Sequence, residues 1–200
     1  VSLNVIRRMA TAALLTVATG AAQAHTGHGT HGLVEGLIHP FGADHLLAMV
    51  AVGLWSASAL PLRRSWWGPV TFMGALLAGA MLGASGLSLP YLEHAIALSV
   101  VLFGVMLAGA QRGLPVSAGL CLVAAASVLH GLAHGAESPQ TGFSGYAAGF
   151  LLTTAILHLG GISMGLAMSR WMSQRRGAVL GSLGAALGVS GLYLFGQVAT

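Results

Sequence analysis

Residues 33–60 read LVEGLIHPFGADHLLAMVAVGLWSASAL. The run exceeds the roughly 20 residues that an α-helix needs to cross the hydrocarbon core of a bilayer. Yet it carries Glu35, His39, Asp44 and His45, with Pro40 and Gly42 between the two histidines. A charge at the centre of a membrane helix costs roughly 2.5 to 3.5 kcal/mol, so ionisable groups in such a run are functional candidates by default.

The rest of the chain has the same character. Of 200 residues, 56% are hydrophobic and 6% charged, and the mean hydropathy is +0.83. A soluble domain of this size could not solvate its surface with so few charges. Further apolar runs lie at 68–89, 91–110, 114–135, 144–169 and 178–198, each long enough to cross. Turn-like or charged segments separate them, among them Pro61-Leu62-Arg63-Arg64, Gln111-Arg112-Gly113 and Ser138-Pro139-Gln140-Thr141. The predicted fold class is all-α: a polytopic membrane bundle of six transmembrane helices.

Before the first run, Arg7 and Arg8 precede an apolar stretch from Met9 to Ala22, and Ala22-Gln23-Ala24 offers the small residues of a cleavage site. The reading is a cleaved signal peptide at 1–24 and a permease domain at 25–200, with the mature N-terminus in the periplasm. The loops after spans one, three and five are then cytoplasmic and hold Arg63, Arg64, Arg112, Arg170, Arg175 and Arg176, whereas the loops after spans two and four hold no Arg or Lys. That is the positive-inside pattern, and it predicts a multi-pass protein of the bacterial inner membrane. The net charge of +4 comes from these scattered arginines without interleaved aromatics, so the partners expected are lipid and a small cation, not nucleic acid. Glycines at small-residue spacing, such as Gly74-Gly79-Gly83 and Gly181-Gly184-Gly188-Gly191, predict close helix packing. Cys121 reads as a small core residue without a disulfide partner, and Met164 and Met168 as core gap-fillers.

Four carboxylates remain, and each has a histidine within four residues: Glu35 with His31 and His39, Asp44 with His45, Glu93 with His94, Glu137 with His134. All four map to the outer side of the predicted topology, opposite the arginines. Imidazole and carboxylate together suit divalent first-row metals. His130, His134 and Glu137 recur at i, i+4 and i+7, one face of a helix. His39 and Asp44 would diverge by about 140° on an ideal helix, but Pro40 and Gly42 can break the ladder and reorient both toward one ion. Counting inward from the outer helix ends predicts a path, with Glu93 and His94 first, then His134 and His130, then His39, Asp44 and His45, and His158 deepest. His25, His28 and His31, with Glu35 and Glu137, are read as a periplasmic metal-gathering group.

His39-Pro40-Phe41-Gly42-Ala43-Asp44-His45, followed by Leu46-Leu47-Ala48-Met49 and Val52-Gly53, resembles the signature of the HupE/UreJ family of hydrogenase and urease accessory membrane proteins. The resemblance covers essentially the whole chain. It implies a secondary permease that imports nickel for metalloenzyme assembly, with His39, Asp44 and His45 as signature ligands. The metal is cargo, Ni2+ or alternatively Co2+ or Zn2+, and no fixed cofactor is expected. The chain is not expected to be an enzyme. The competing reading is a metal-dependent intramembrane hydrolase, which the residue types fit but the Pro-interrupted signature does not. A serine protease built on Gly142-Phe143-Ser144-Gly145 fails unless another histidine serves, because Ser144 and His158 share one span about 21 Å apart along its axis.

Overall fold

The computed structural model describes residues 32–138 and 143–198, and every regular element among them is helical. The expected signal peptide and His25, His28 and His31 lie outside the described residues. Helix α1 spans Leu33–Ile38, and a 3-10 turn over His39–Phe41 leads into α2, Ala43–Ala59. Then follow α3 (Trp67–Ala84), α4 (Leu92–Ala108), α5 (Val116–Ala136), α6 (Phe143–Trp171) and α7 (Arg176–Val198).

Among the described residues four segments are long and apolar enough to cross a membrane: Leu62–Ala84, Val116–Ala136, Phe143–Trp171 and Ser173–Val198. Leu33–Phe41 and Ala43–Ala59 qualify together as a fifth, bent by 76°. Helix α4 has 17 residues, about 25 Å at the α-helical rise and the lower limit for a crossing. It is shorter than the run that predicted it. Tyr91, after Pro90, sits in the left-handed region at φ 59 and starts the helix late, and a turn at Gly109 and Ala110 ends it early. Helix α3 likewise stops before residue 89. Leu87 N donates to Leu82 O and Gly86 N to Gly83 O, with Gly86 at φ +92; this pair of bonds around a left-handed glycine closes the helix at Ala84.

Lipid supplies no hydrophobic force between helices, so close backbone approach must hold them together. Glycine provides it on both sides of three pairs. Gly79 and Gly83 of α3 lie against the Val128 and Leu132 carbonyls of α5, while Gly131 and Gly135 of α5 lie against Leu76 and Ala80 of α3. Gly53 of α2 meets Gly161 of α6, and Gly104 of α4 meets Gly184 of α7. The first two pairs run parallel and the third antiparallel, as the order of these contacts shows. Exchanging α2, α3 and α4 with α5, α6 and α7 carries α2–α6 onto α3–α5 and α4–α7 onto itself, the pattern of an inverted repeat. Not every expected glycine takes part: Gly74 and Gly181 face open space, and Val70, Leu77, Val189 and Leu192 on the same helices are also exposed.

The core surrounds α2, with Met49, Val52 and Trp55 buried against Phe72, Phe103 and Val123. Met168 belongs to it, whereas Met164 and Cys121 are exposed. The core reading therefore fails for those two, because an apolar side chain is equally stable facing lipid. Among the described residues the arginines gather at one end of the bundle. Arg176 Nη2 donates to the Ala57 and Ser58 carbonyls at 3.2 and 3.3 Å, a cation on the C-terminal carbonyls of α2. Arg64 lies 4.6 Å over the Trp67 ring. The carboxylates occupy the opposite end.

Candidate metal centre

The site begins where the first span breaks. Pro40 has no N–H to continue an α-helical ladder, although the backbone stays helical through His39 at φ −52, ψ −43. The chain makes one 3-10 turn, with Gly42 N donating to His39 O at 3.2 Å, and Gly42 then extends at φ −52, ψ 141. A new helix starts with Asp44 in its first turn, where a carboxylate faces unpaired backbone N–H groups. Through this break the His39 and His45 rings come to 6.0 Å, edge to face. Helix α1 is pressed onto α6 by Gly36 against the Tyr146 carbonyl and Gly149 against that of Leu33. Thr153 Oγ1 donates to Leu37 O at 2.9 Å, which ties the two together.

Helix α5 supplies the other half. The Gly131 and Gly135 contacts clamp it to α3, and each of these glycines directly follows a site histidine, His130 and His134. His134 stands 4.3 Å from His45 and 4.8 Å from His39, centroid to centroid, and His130 stands 4.9 Å from His45. Glu137, at the C-cap of α5, joins them: ligand atoms of His39, His134 and Glu137 lie within 4.8 Å of one another. Phe150 walls the cluster at 4.5 Å from His134 and 5.9 Å from His39, with Tyr146 5.7 Å from His39.

The hydrogen-bond inventory suits metal binding. Asp44 Oδ1 accepts from His45 Nδ1 at 2.9 Å, which leaves His45 Nε2 buried without a partner. Both ring nitrogens of His134 and Nδ1 of His130 are buried and unpartnered as well; His130 Nε2 lies 2.8 Å from Ser99 Oγ. Buried polar atoms are rarely left unsatisfied without a functional reason. Imidazole rings oriented by hydrogen bonds to the Asp44 carboxylate and the Ser99 hydroxyl oxygen, beside two carboxylates, make a donor set for a borderline divalent cation.

The structure changes the predicted order of residues. Helix-end counting separated His39 from His134, but the 76° bend brings them together, so the middle of the path is one cluster. Glu137 belongs to that cluster and not only to an outer gathering group. Glu93 and His94 lie at the start of α4, where the His94 ring packs on Tyr91 at 5.8 Å and Phe195 at 5.0 Å. Glu35 lies one turn before His39, with Oε2 buried and unpartnered. His158 is buried deeper on α6. Its Nδ1 donates to Thr154 O at 2.8 Å and its Nε2 has no partner. Phe72 intervenes, 5.9 Å from His130 and 4.8 Å from His158. Sequence reasoning missed Ser99, Phe72, Tyr146 and Phe150. Only Ser99 carried a signal, being the one polar residue of α4 beyond His94.

The family described as HupE / UreJ protein matches residues 12–194. The chain belongs to the HupE/UreJ family. A relative, Protein HupE of Rhizobium leguminosarum bv. viciae, is 42% identical over 145 residues, which cover 72% of this chain and 75% of that protein. No solved structure matches the chain. The family is associated with hydrogenase and urease accessory nickel or cobalt uptake, and is transport-related, not catalytic. The hydrolase alternative is not favoured.

Proposed function

We propose that this chain is a secondary permease that imports a divalent transition metal, nickel first, across the bacterial inner membrane for hydrogenase or urease maturation. The observation that carries the reading is the convergence of His39, His45, His130 and His134 with Asp44 and Glu137 at the break in the first span. Broken helices near the midplane are how many secondary transporters build their ion sites. In this reading α4 also crosses, the bundle has six spans, the leader is removed and the mature N-terminus is periplasmic.

The hydrated ion arrives at the outer end, where Glu35, Glu93 and His94 stand. It exchanges water for Glu137, His39 and His134, and then engages His45 and His130 deeper in the cluster. Asp44 and Glu137 offset its two charges, while the imidazoles supply the borderline-soft donors that separate nickel from magnesium. Below this point the chain has no carboxylate, so the ion moves past Phe72 to His158 with its charge uncompensated. The membrane potential supplies the drive: about 2.3 kcal/mol per charge per 100 mV, or roughly 4.6 kcal/mol for a divalent ion.

The test is uptake of radiolabelled nickel by cells expressing the protein, with unlabelled nickel, cobalt, zinc and magnesium as competitors. Competition by nickel and cobalt but not magnesium supports the reading. Uptake no greater than in cells without the protein would overturn it.

A further inference from the structure

Ser99 lies on α4, 4% exposed, beside His130 of α5, which is fully buried. Its hydroxyl donates to the Ile96 carbonyl at 2.6 Å, and His130 Nε2 lies 2.8 Å from the same oxygen. A hydroxyl has one proton, and a neutral imidazole has one N–H. With the hydroxyl proton committed to Ile96, the serine oxygen presents lone pairs to the ring, so Nε2 carries the hydrogen and donates. The opposite arrangement, with the hydroxyl donating to Nε2, would give up the Ile96 bond and leave Nδ1–H as a buried donor without a partner. The first arrangement makes two hydrogen bonds and the second makes one. In the first, His130 Nδ1 is a bare lone pair, buried and unpartnered, on a ring set edge-on to His45 at 4.9 Å.

We propose that Ser99 is a positioning residue: it holds His130 in the Nε2–H tautomer and thereby leaves Nδ1 open to the cation in the histidine cluster. The cation's part in this rests on the permease reading, but the tautomer does not. Ser99 thus does for His130 what the Asp44 carboxylate and the Thr154 carbonyl do for His45 and His158, each fixing which nitrogen carries the proton.

The experiment uses the full-length protein in lipid nanodiscs, labelled with 15N-histidine, at a mildly alkaline pH where imidazole is neutral. The His130 resonances are assigned by their loss in His130→Asn. Wild type should show His130 as a single Nε2–H tautomer. Ser99→Ala should show a mixed or Nδ1–H ring and bind Ni2+ about 10- to 100-fold more weakly in equilibrium dialysis. Ser99→Thr keeps a hydroxyl able to bond back along the helix and should restore both tautomer and affinity, which a purely steric role for Ser99 would not give. An Nδ1–H ring in wild type, or an unchanged tautomer in Ser99→Ala, overturns the proposal. If Ser99→Ala does not fold, the wild-type tautomer alone decides. A wild-type protein that holds the Nε2–H tautomer yet binds no Ni2+ supports the role of Ser99 and removes the permease reading instead.

Discussion

Replacing Gly131 with alanine tests whether the contact between α3 and α5 sets the metal centre. A Cβ at Gly131 would stand 2.8 Å from Ala80 N and 2.9 Å from Gly79 Cα, and would run into the Leu76 carbonyl oxygen. These are backbone atoms, so no side chain can swing aside. To regain ordinary separations of about 3.5 to 4.0 Å, the helices must part by roughly 1 Å. Metal–ligand distances tolerate only about 0.2 Å. His130 directly precedes Gly131 and His134 lies one turn on, so a displacement of α5 shifts both rings relative to His39 and His45. Overpacking costs about 1 to 3 kcal/mol; if binding the ion must reverse that displacement, uptake at sub-saturating nickel falls roughly 5- to 150-fold, since 1.4 kcal/mol is tenfold. Gly74→Ala is the matched control, because nothing lies within 4 Å of a Cβ there. Radiolabelled nickel uptake at matched membrane abundance is the assay, with thermal stability in detergent measured alongside. Equal uptake and equal stability in Gly131→Ala and Gly74→Ala would refute the claim that this interface positions the site.

His39→Ala, Asp44→Asn and His45→Ala should each nearly abolish uptake while the protein stays in the membrane; wild-type uptake by Asp44→Asn at matched expression would remove the central site from this account. In a Cys121→Ser background, Arg63→Cys and Arg175→Cys should react with an impermeant thiol reagent only from the cytoplasm, and Ser138→Cys only from outside. Labelling of Ser138→Cys from the cytoplasm would reverse the orientation. In proteoliposomes without nucleotide, a valinomycin potassium-diffusion potential of 100 mV, inside negative, should support accumulation on the order of 2,000-fold for a divalent ion. Indifference to the sign of that potential, with a response to a proton gradient, would replace uniport with electroneutral proton exchange.

The all-helical fold and the segregation of charge were legible because both follow from what a bilayer refuses. It excludes unpaired backbone and uncompensated charge, so apolar runs report helices, and charges of opposite sign fall at opposite ends of the bundle. Helix pairing was not legible. In water an apolar stripe marks the buried face, but in lipid both faces are apolar. Gly79 and Gly74 lie on the same helix and look alike in sequence, yet one meets a partner backbone and the other faces open space. Cys121 and Met164 were misplaced for the same reason.

The candidate site was legible by residue type and less so by position. Pro40 and Gly42 announce a break, but its direction depends on where α1 docks, and α1 docks through Gly36 and Gly149 onto a helix more than a hundred residues later in the chain. A count of residues inward from a helix end measures depth only on a straight helix. Once the first span bends by 76°, His39 no longer lies on the line from the outer end to His45, and its neighbour becomes His134. The residue that undermined the depth count was therefore also the one that made the cluster possible: with an unbroken helix through Pro40, the side chains of His39 and Asp44 would point about 140° apart, and His134 could share a cation with only one of them.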